Sequence, residues 1–72
     1  MANFSIYPNP ATDILNIQTN EEIKQVVVYN IQGRKLIQEA TSVLNITTLS
    51  SGMYLLELHT ANGTATIKFV KK

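Results

Sequence analysis

Alternation of apolar and polar residues with a period of two runs through most of this chain, and turn-forming residues cut it into short pieces. A helix-forming pattern would repeat every three to four residues, so the period alone commits the chain to strands. Phe4-Ser5-Ile6-Tyr7 alternates and stops at Pro8, which has no N–H to give to a ladder. Asn9 stands between Pro8 and Pro10, so extended geometry and a stiff corner are expected there. Ile14 to Thr19 carries Leu15 and Ile17 on one face and Asn16 and Gln18 on the other, and Asn20-Glu21-Glu22 breaks it.

Ile23 to Ile31 departs from strict alternation, with Val26, Val27, Val28 and Tyr29 in succession. A run apolar on both faces suits a central strand covered on two sides. A buried helix would give the same run, but β-branched residues are stiff at χ1 and favour strand. Asn30-Ile31-Gln32-Gly33 is a predicted turn, with Gly33 supplying a positive φ. Arg34 to Glu39 returns as a hairpin partner, with Leu36 expected to face inward. Val43 to Thr47 is a short strand, and Leu49-Ser50-Ser51-Gly52 is a second turn closed by glycine. From Met53 to Thr60, alternation places Tyr54, Leu56 and Leu58 on one face and Glu57 and His59 on the other. Asn62-Gly63 is the strongest hairpin signal in the chain. In Thr64 to Lys72, Ala65, Ile67 and Phe69 are expected inward and Thr66 and Lys68 outward. About seven short, mainly antiparallel strands at this spacing predict an all-β sandwich with no helix longer than one turn.

At 72 residues, the chain is read as a single domain, residues 1–72. It buries only about 60–65% of the surface its unfolded form exposes, so marginal stability is expected. A hydrophobic share of 44% against 15% charged residues fits a packed core. The net charge of +1 is too balanced for a nucleic-acid footprint, so no nucleic acid is expected as a partner. With no cysteine, neither a disulfide nor a thiolate metal site is available. No apolar run approaches the roughly 20 residues that span a bilayer. Met1-Ala2-Asn3 does not begin a signal peptide, and the chain reads as the tail of something longer.

Candidate chemistry is sparse. The only histidine is His59 and the only aspartate is Asp13, with nothing in their spacing to bring both beside a serine. Glu57 and His59 share a strand face and could hold a metal, but zinc needs at least three protein ligands, so they read as a polar stripe. No catalytic, cofactor-binding or metal residue is therefore assigned. Asn3-Phe4-Ser5, Asn45-Ile46-Thr47 and Asn62-Gly63-Thr64 match the N-glycosylation pattern, as chance allows in a chain rich in Asn, Ser and Thr. Lys68, Lys71 and Lys72 give the last strand a basic end. That end reads either as a tag for an acidic partner or as lysines that keep an edge strand from aggregating.

The turns carry a resemblance. Tyr7-Pro8-Asn9-Pro10-Ala11-Thr12-Asp13 is similar to the opening YPNPA/ST motif of type IX (Por) secretion-system C-terminal sorting domains, and it continues to Leu15 and Ile17 as they do. Val28-Tyr29-Asn30-Ile31-Gln32-Gly33-Arg34 resembles their V-Y-[ND]-x-x-G-[RK] turn. Leu49-Ser50-Ser51-Gly52-Met53-Tyr54 resembles their L-x-x-G-x-Y turn. Lys68-Phe69-Val70-Lys71-Lys72 resembles their basic ending. The four motifs, in order and at fitting intervals, cover nearly the whole chain.

The resemblance implies a small immunoglobulin-like β-sandwich, with no enzymatic role and no cofactor. It implies a sorting signal fused behind an N-terminal cargo, passing through the periplasm to an outer-membrane translocon and its associated shuttle or sortase-like protease. The cargo is then secreted or left at the cell surface. Lys68, Phe69, Val70, Lys71 and Lys72 are the expected recognition residues. Tyr7, Pro8, Asn9, Pro10, Tyr29, Gly33, Arg34, Leu49, Gly52 and Tyr54 are expected to make the fold. The domain is expected to be monomeric, with self-association through a sheet edge left open. The alternative is a small adhesion or carbohydrate-binding module, which would want exposed aromatic rings. A structural stalk is a third reading, one that would place no demand on the terminal residues.

Overall fold

Two sheets form because each alternating run has one apolar face and needs a second apolar surface to bury it. The structure, a computed structural model, describes residues 4–72. In chain order the strands are β1 (Phe4–Tyr7), β2 (Ile14–Thr19), β3 (Ile23–Asn30), β4 (Lys35–Glu39), β5 (Val43–Asn45), β6 (Gly52–Thr60) and β7 (Gly63–Lys71). One sheet has the order β1-β2-β5 and the other β4-β3-β6-β7, and every strand pair is antiparallel. No helix occurs among the described residues. The expected segments agree with these strands to within two residues at each end. The Asn3 sequon and the Met1-Ala2 reading fall on residues outside those described.

Leu15, Ile17 and Leu44, with Ile46 just beyond β5, face Val26, Val28, Tyr54, Leu56, Leu58 and Phe69 of the four-stranded sheet, and Ala11 closes one end. Full burial of one Val, Leu, Ile or Phe side chain stabilises by about 1.5–3 kcal/mol, so this layer supplies most of the favourable free energy of folding. Tyr54 and Phe69 lie opposite each other across β6 and β7, with ring centroids 5.7 Å apart and planes at 26°. β3 is central, as its composition predicts. Val26 and Val28 enter the core, while Val27 is buried on the sheet's other face, between Gln38 and Glu57.

Two local expectations are corrected. Leu36 does not face inward: it is 40% exposed, and Ile37 packs on the core instead. The register steps from Val28 opposite Ile37 to Tyr29 opposite Lys35, so Leu36 is the extra residue of a β-bulge. One inserted residue reverses the facing of everything beyond it, which period-two reading cannot anticipate. The last hairpin forms as Asn62-Gly63 suggests, but Thr60 pairs with Gly63 and the loop residues are Ala61 and Asn62. The hydroxyl of the buried Thr60 holds this register by donating to the Gly63 carbonyl at 3.2 Å and accepting from the Asn62 N–H at 3.2 Å.

Candidate functional site

Asn30 pairs with Tyr54, Tyr54 with Phe69, and Gly52 with Lys71, so the ends of three strands meet at one end of the sandwich. The segment after β1 arrives there too. Both of its Xaa-Pro bonds, Tyr7–Pro8 and Asn9–Pro10, are cis. Beyond Pro10 the chain leaves the three-stranded sheet, and Ala11 forms a parallel bridge to Lys71 at the outer edge of β7. The Ala11 N–H donates to the Val70 carbonyl at 2.8 Å, and the Lys72 N–H donates to the Ala11 carbonyl at 2.7 Å. The Asn9 side-chain carbonyl accepts the Val70 N–H at 3.1 Å, across 61 residues of sequence. All four motifs, three turns and the basic ending, therefore converge on one end, and the first of them caps the edge of the last.

Several of the motif residues there have a mechanical reason. Asn30 organises the β3–β4 turn: its side-chain carbonyl accepts the N–H groups of Gln32 at 3.0 Å and Arg34 at 2.9 Å. Its backbone carbonyl accepts the Gly33 N–H at 2.9 Å. Gly33 has φ +88° and Gly52 φ +152°, values an L side chain rarely adopts, so the positive φ expected at Gly33 holds and Gly52 shares it. Tyr54 buries its ring and donates its hydroxyl to the Ser50 carbonyl at 2.6 Å, tying the β5–β6 turn to the start of β6. Leu49 packs against the core. Tyr7, by contrast, is 52% exposed, and Pro8, Asn9, Pro10 and Arg34 are exposed as well.

The five expected recognition residues divide by face. Lys68, Val70 and Lys72 are exposed, Lys71 is half-buried, and the Phe69 ring is in the core, out of a partner's reach while the domain is folded. Val70 turns its N–H and carbonyl to the outer edge, and in an antiparallel ladder alternate residues turn the same way. Thr64, Thr66 and Lys68 therefore present their backbone groups along the uncapped part of that edge. Sequence reasoning missed Asn30, Ala11 and the Ser50 carbonyl as ties. The Asn in the Asn-x-x-Gly turn was a usable signal for the first, since Asx side chains bond their own backbone two residues on.

On the outer face of the four-stranded sheet, the Tyr29 hydroxyl donates to Glu57 at 3.3 Å. Nε2 of His59 lies 2.7 Å from the same carboxylate oxygen, and Nδ1 of His59 lies 3.3 Å from the Thr64 hydroxyl. Removal from water, then the Glu57 charge, then the hydrogen bond to it hold the Tyr29 hydroxyl above the ordinary tyrosine range. Glu57 and His59 thus satisfy each other, and no group of three or more His, Cys, Asp or Glu residues is placed to hold a metal among the described residues.

Comparison with known proteins agrees with the motif end. Beta-agarase D of Zobellia galactanivorans is 33% identical over 60 residues, which are 81% of this chain. Those residues are 12% of the agarase, so the chain spans about an eighth of the length of that relative. Residues 5–72 match the family described as the secretion system C-terminal sorting domain. With that match over nearly all its length, the chain belongs to the family of type IX secretion-system C-terminal sorting domains.

Proposed function

We propose that this sorting signal forms the tail of a longer cargo protein, and that the secretion machinery reads it at the uncapped stretch of β7 and the basic residues beyond. Membership of the family makes the domain a signal for export to the surface or the medium. The finer reading is supported chiefly by one observation: the four motifs converge where Asn9 and Ala11 cap Val70 and Lys72, leaving Lys68 and Lys72 exposed beside an open edge. Strand addition at Thr64 to Lys68 supplies main-chain hydrogen bonds, and the lysines add attraction to an acidic partner. The partners in this reading are an outer-membrane translocon and its associated shuttle or sortase-like protease, reached through the periplasm. The domain itself contributes no catalysis.

A reporter protein fused ahead of the domain tests this in a type IX-secreting bacterium. The fusion is expected in the medium or at the surface. Lys71→Ala with Lys72→Ala is expected to keep the fold, since neither side chain is in the core cluster and the ties to Ala11 are backbone bonds that alanine retains. The same double variant is expected to leave the reporter in the periplasm. Secretion of the double variant at the unmutated rate would move recognition away from the lysines. Retention of the unmutated fusion inside the cell would favour the adhesion-module or stalk readings instead.

A further inference from the structure

The outer face of the four-stranded sheet carries a pattern that the sorting role alone does not require. Lys35 lies opposite Tyr29, Tyr29 opposite Leu55, and Leu55 opposite Lys68, so one row crosses all four strands. Val28, Leu56 and Phe69, the neighbours of these residues, point into the core, so the row itself points outward. The next row towards the turns pairs Met53 with Val70, and Ile31 stands 71% exposed at the turn tip. The surface is therefore an apolar centre of Tyr29, Leu55, Met53 and Val70, with a lysine at each flank. Three interstrand steps of about 4.8 Å set the two lysine positions roughly 14 Å apart.

Charge is segregated along this sheet. Five of the six Lys and Arg residues, Arg34, Lys35, Lys68, Lys71 and Lys72, lie at the motif end. No strand residue of the sheet is acidic on the turn side of the row that joins Gln38, Val27, Glu57 and Thr66. The three-stranded sheet offers the contrast. Tyr7 and Val43 are about as exposed on its outer face, but its strands hold no charged residue at all.

We propose that this face is a docking surface for an acidic, apolar-centred protein surface of the secretion machinery, with carboxylates meeting Lys35 and Lys68 on either side of an apolar contact on Leu55 and Met53. The inference rests on the sorting reading and extends it from one strand edge to a sheet face. An apolar centre with a charged rim is the anatomy of a protein interface. A membrane surface fits less well, because recognition of anionic lipid is marked by contiguous clusters of about four to eight Lys or Arg, whereas in the row Lys35 and Lys68 are held apart by Tyr29 and Leu55.

Met53→Glu and Val43→Glu are matched tests, since the two side chains are 48% and 49% exposed on opposite sheets. In the reporter fusion, Met53→Glu is expected to cut secretion about tenfold, the effect of losing one central contact, and Val43→Glu to leave it unchanged. Lys35→Glu and Lys68→Glu, whose side chains lie outside the core, are expected to lower it as well, while Lys35→Arg and Lys68→Arg retain it. Unmutated secretion by Met53→Glu, or by both Glu variants of the lysines, overturns the proposal and leaves the sorting reading standing. Failure of the unmutated fusion to be secreted sinks both. Sedimentation with phosphatidylglycerol vesicles identifies the remaining rival: binding by the unmutated fusion that Met53→Glu abolishes would make the occupant a lipid surface and overturn a protein partner.

Discussion

At the motif end of the sandwich, Asn9, Asn30 and Ser50 tie together segments that are distant in the chain or turn sharply, and Tyr54 and Phe69 fill the space beneath them. At the opposite end, the β6–β7 loop meets the β2–β3 loop through smaller means. The Thr60 hydroxyl bonds within its own hairpin, Thr19 accepts the Glu21 N–H at 3.1 Å, and the exposed Asn62 amide donates to Glu21. The first end combines buried rings with hydrogen bonds that bind the segment after β1 to the last strand. The second relies on side-chain polar contacts, of which the Asn62–Glu21 pair is exposed to water, where a lost partner is readily replaced. A small domain thus concentrates its specific interactions at the end where its last strand finishes.

Phe69→Ala should break that comparison most forcefully. Truncating a buried Phe costs about 3–5 kcal/mol, a large part of a small domain's stability, and urea unfolding should show most of the transition lost. A loss under about 1 kcal/mol would mean that the motif end is not where the core is held. Gly33→Val and Gly52→Val come next. Each forces a side chain into the positive-φ region at a cost on the order of 1–3 kcal/mol, read as a lowered thermal midpoint. No atom crowds either position, so an unchanged midpoint would show that backbone strain, the sole cause invoked, is absent. The smallest and sharpest test sets Asn9→Ala against Asn62→Ala. Loss of the Asn9 bond should cost about 0.5–1.5 kcal/mol and speed hydrogen exchange at the Val70 amide. Asn62→Ala should stay within about 0.5 kcal/mol and leave that amide protected. Equal effects from the two would erase the distinction between the ends.

Strand identity and facing were legible because burial on one face imprints alternation directly: Tyr54, Leu56, Leu58 and Phe69 all point where their spacing puts them. Leu36 was not legible, because a bulge is a property of two strands together and leaves no mark on the parity of one. The Thr60–Gly63 register escaped for a similar reason, being set by a side chain that prefers its own hairpin bonds. The motifs named the residues of the functional end correctly, yet not why Pro8-Asn9-Pro10-Ala11 should matter. Its role is a contact with Val70 and Lys72, and no local signal records a partner 61 residues away.

That contact has a mechanical side. Ala11 and Lys71 run parallel, so the chain leaving towards the cargo and the chain leading to the C-terminus depart in opposite directions. A force that drew the N-terminal and C-terminal ends apart would therefore load the Asn9 and Ala11 hydrogen bonds in shear, all together, and would not peel them apart one at a time. Tension between the two ends of the domain would thus meet these hydrogen bonds as a set.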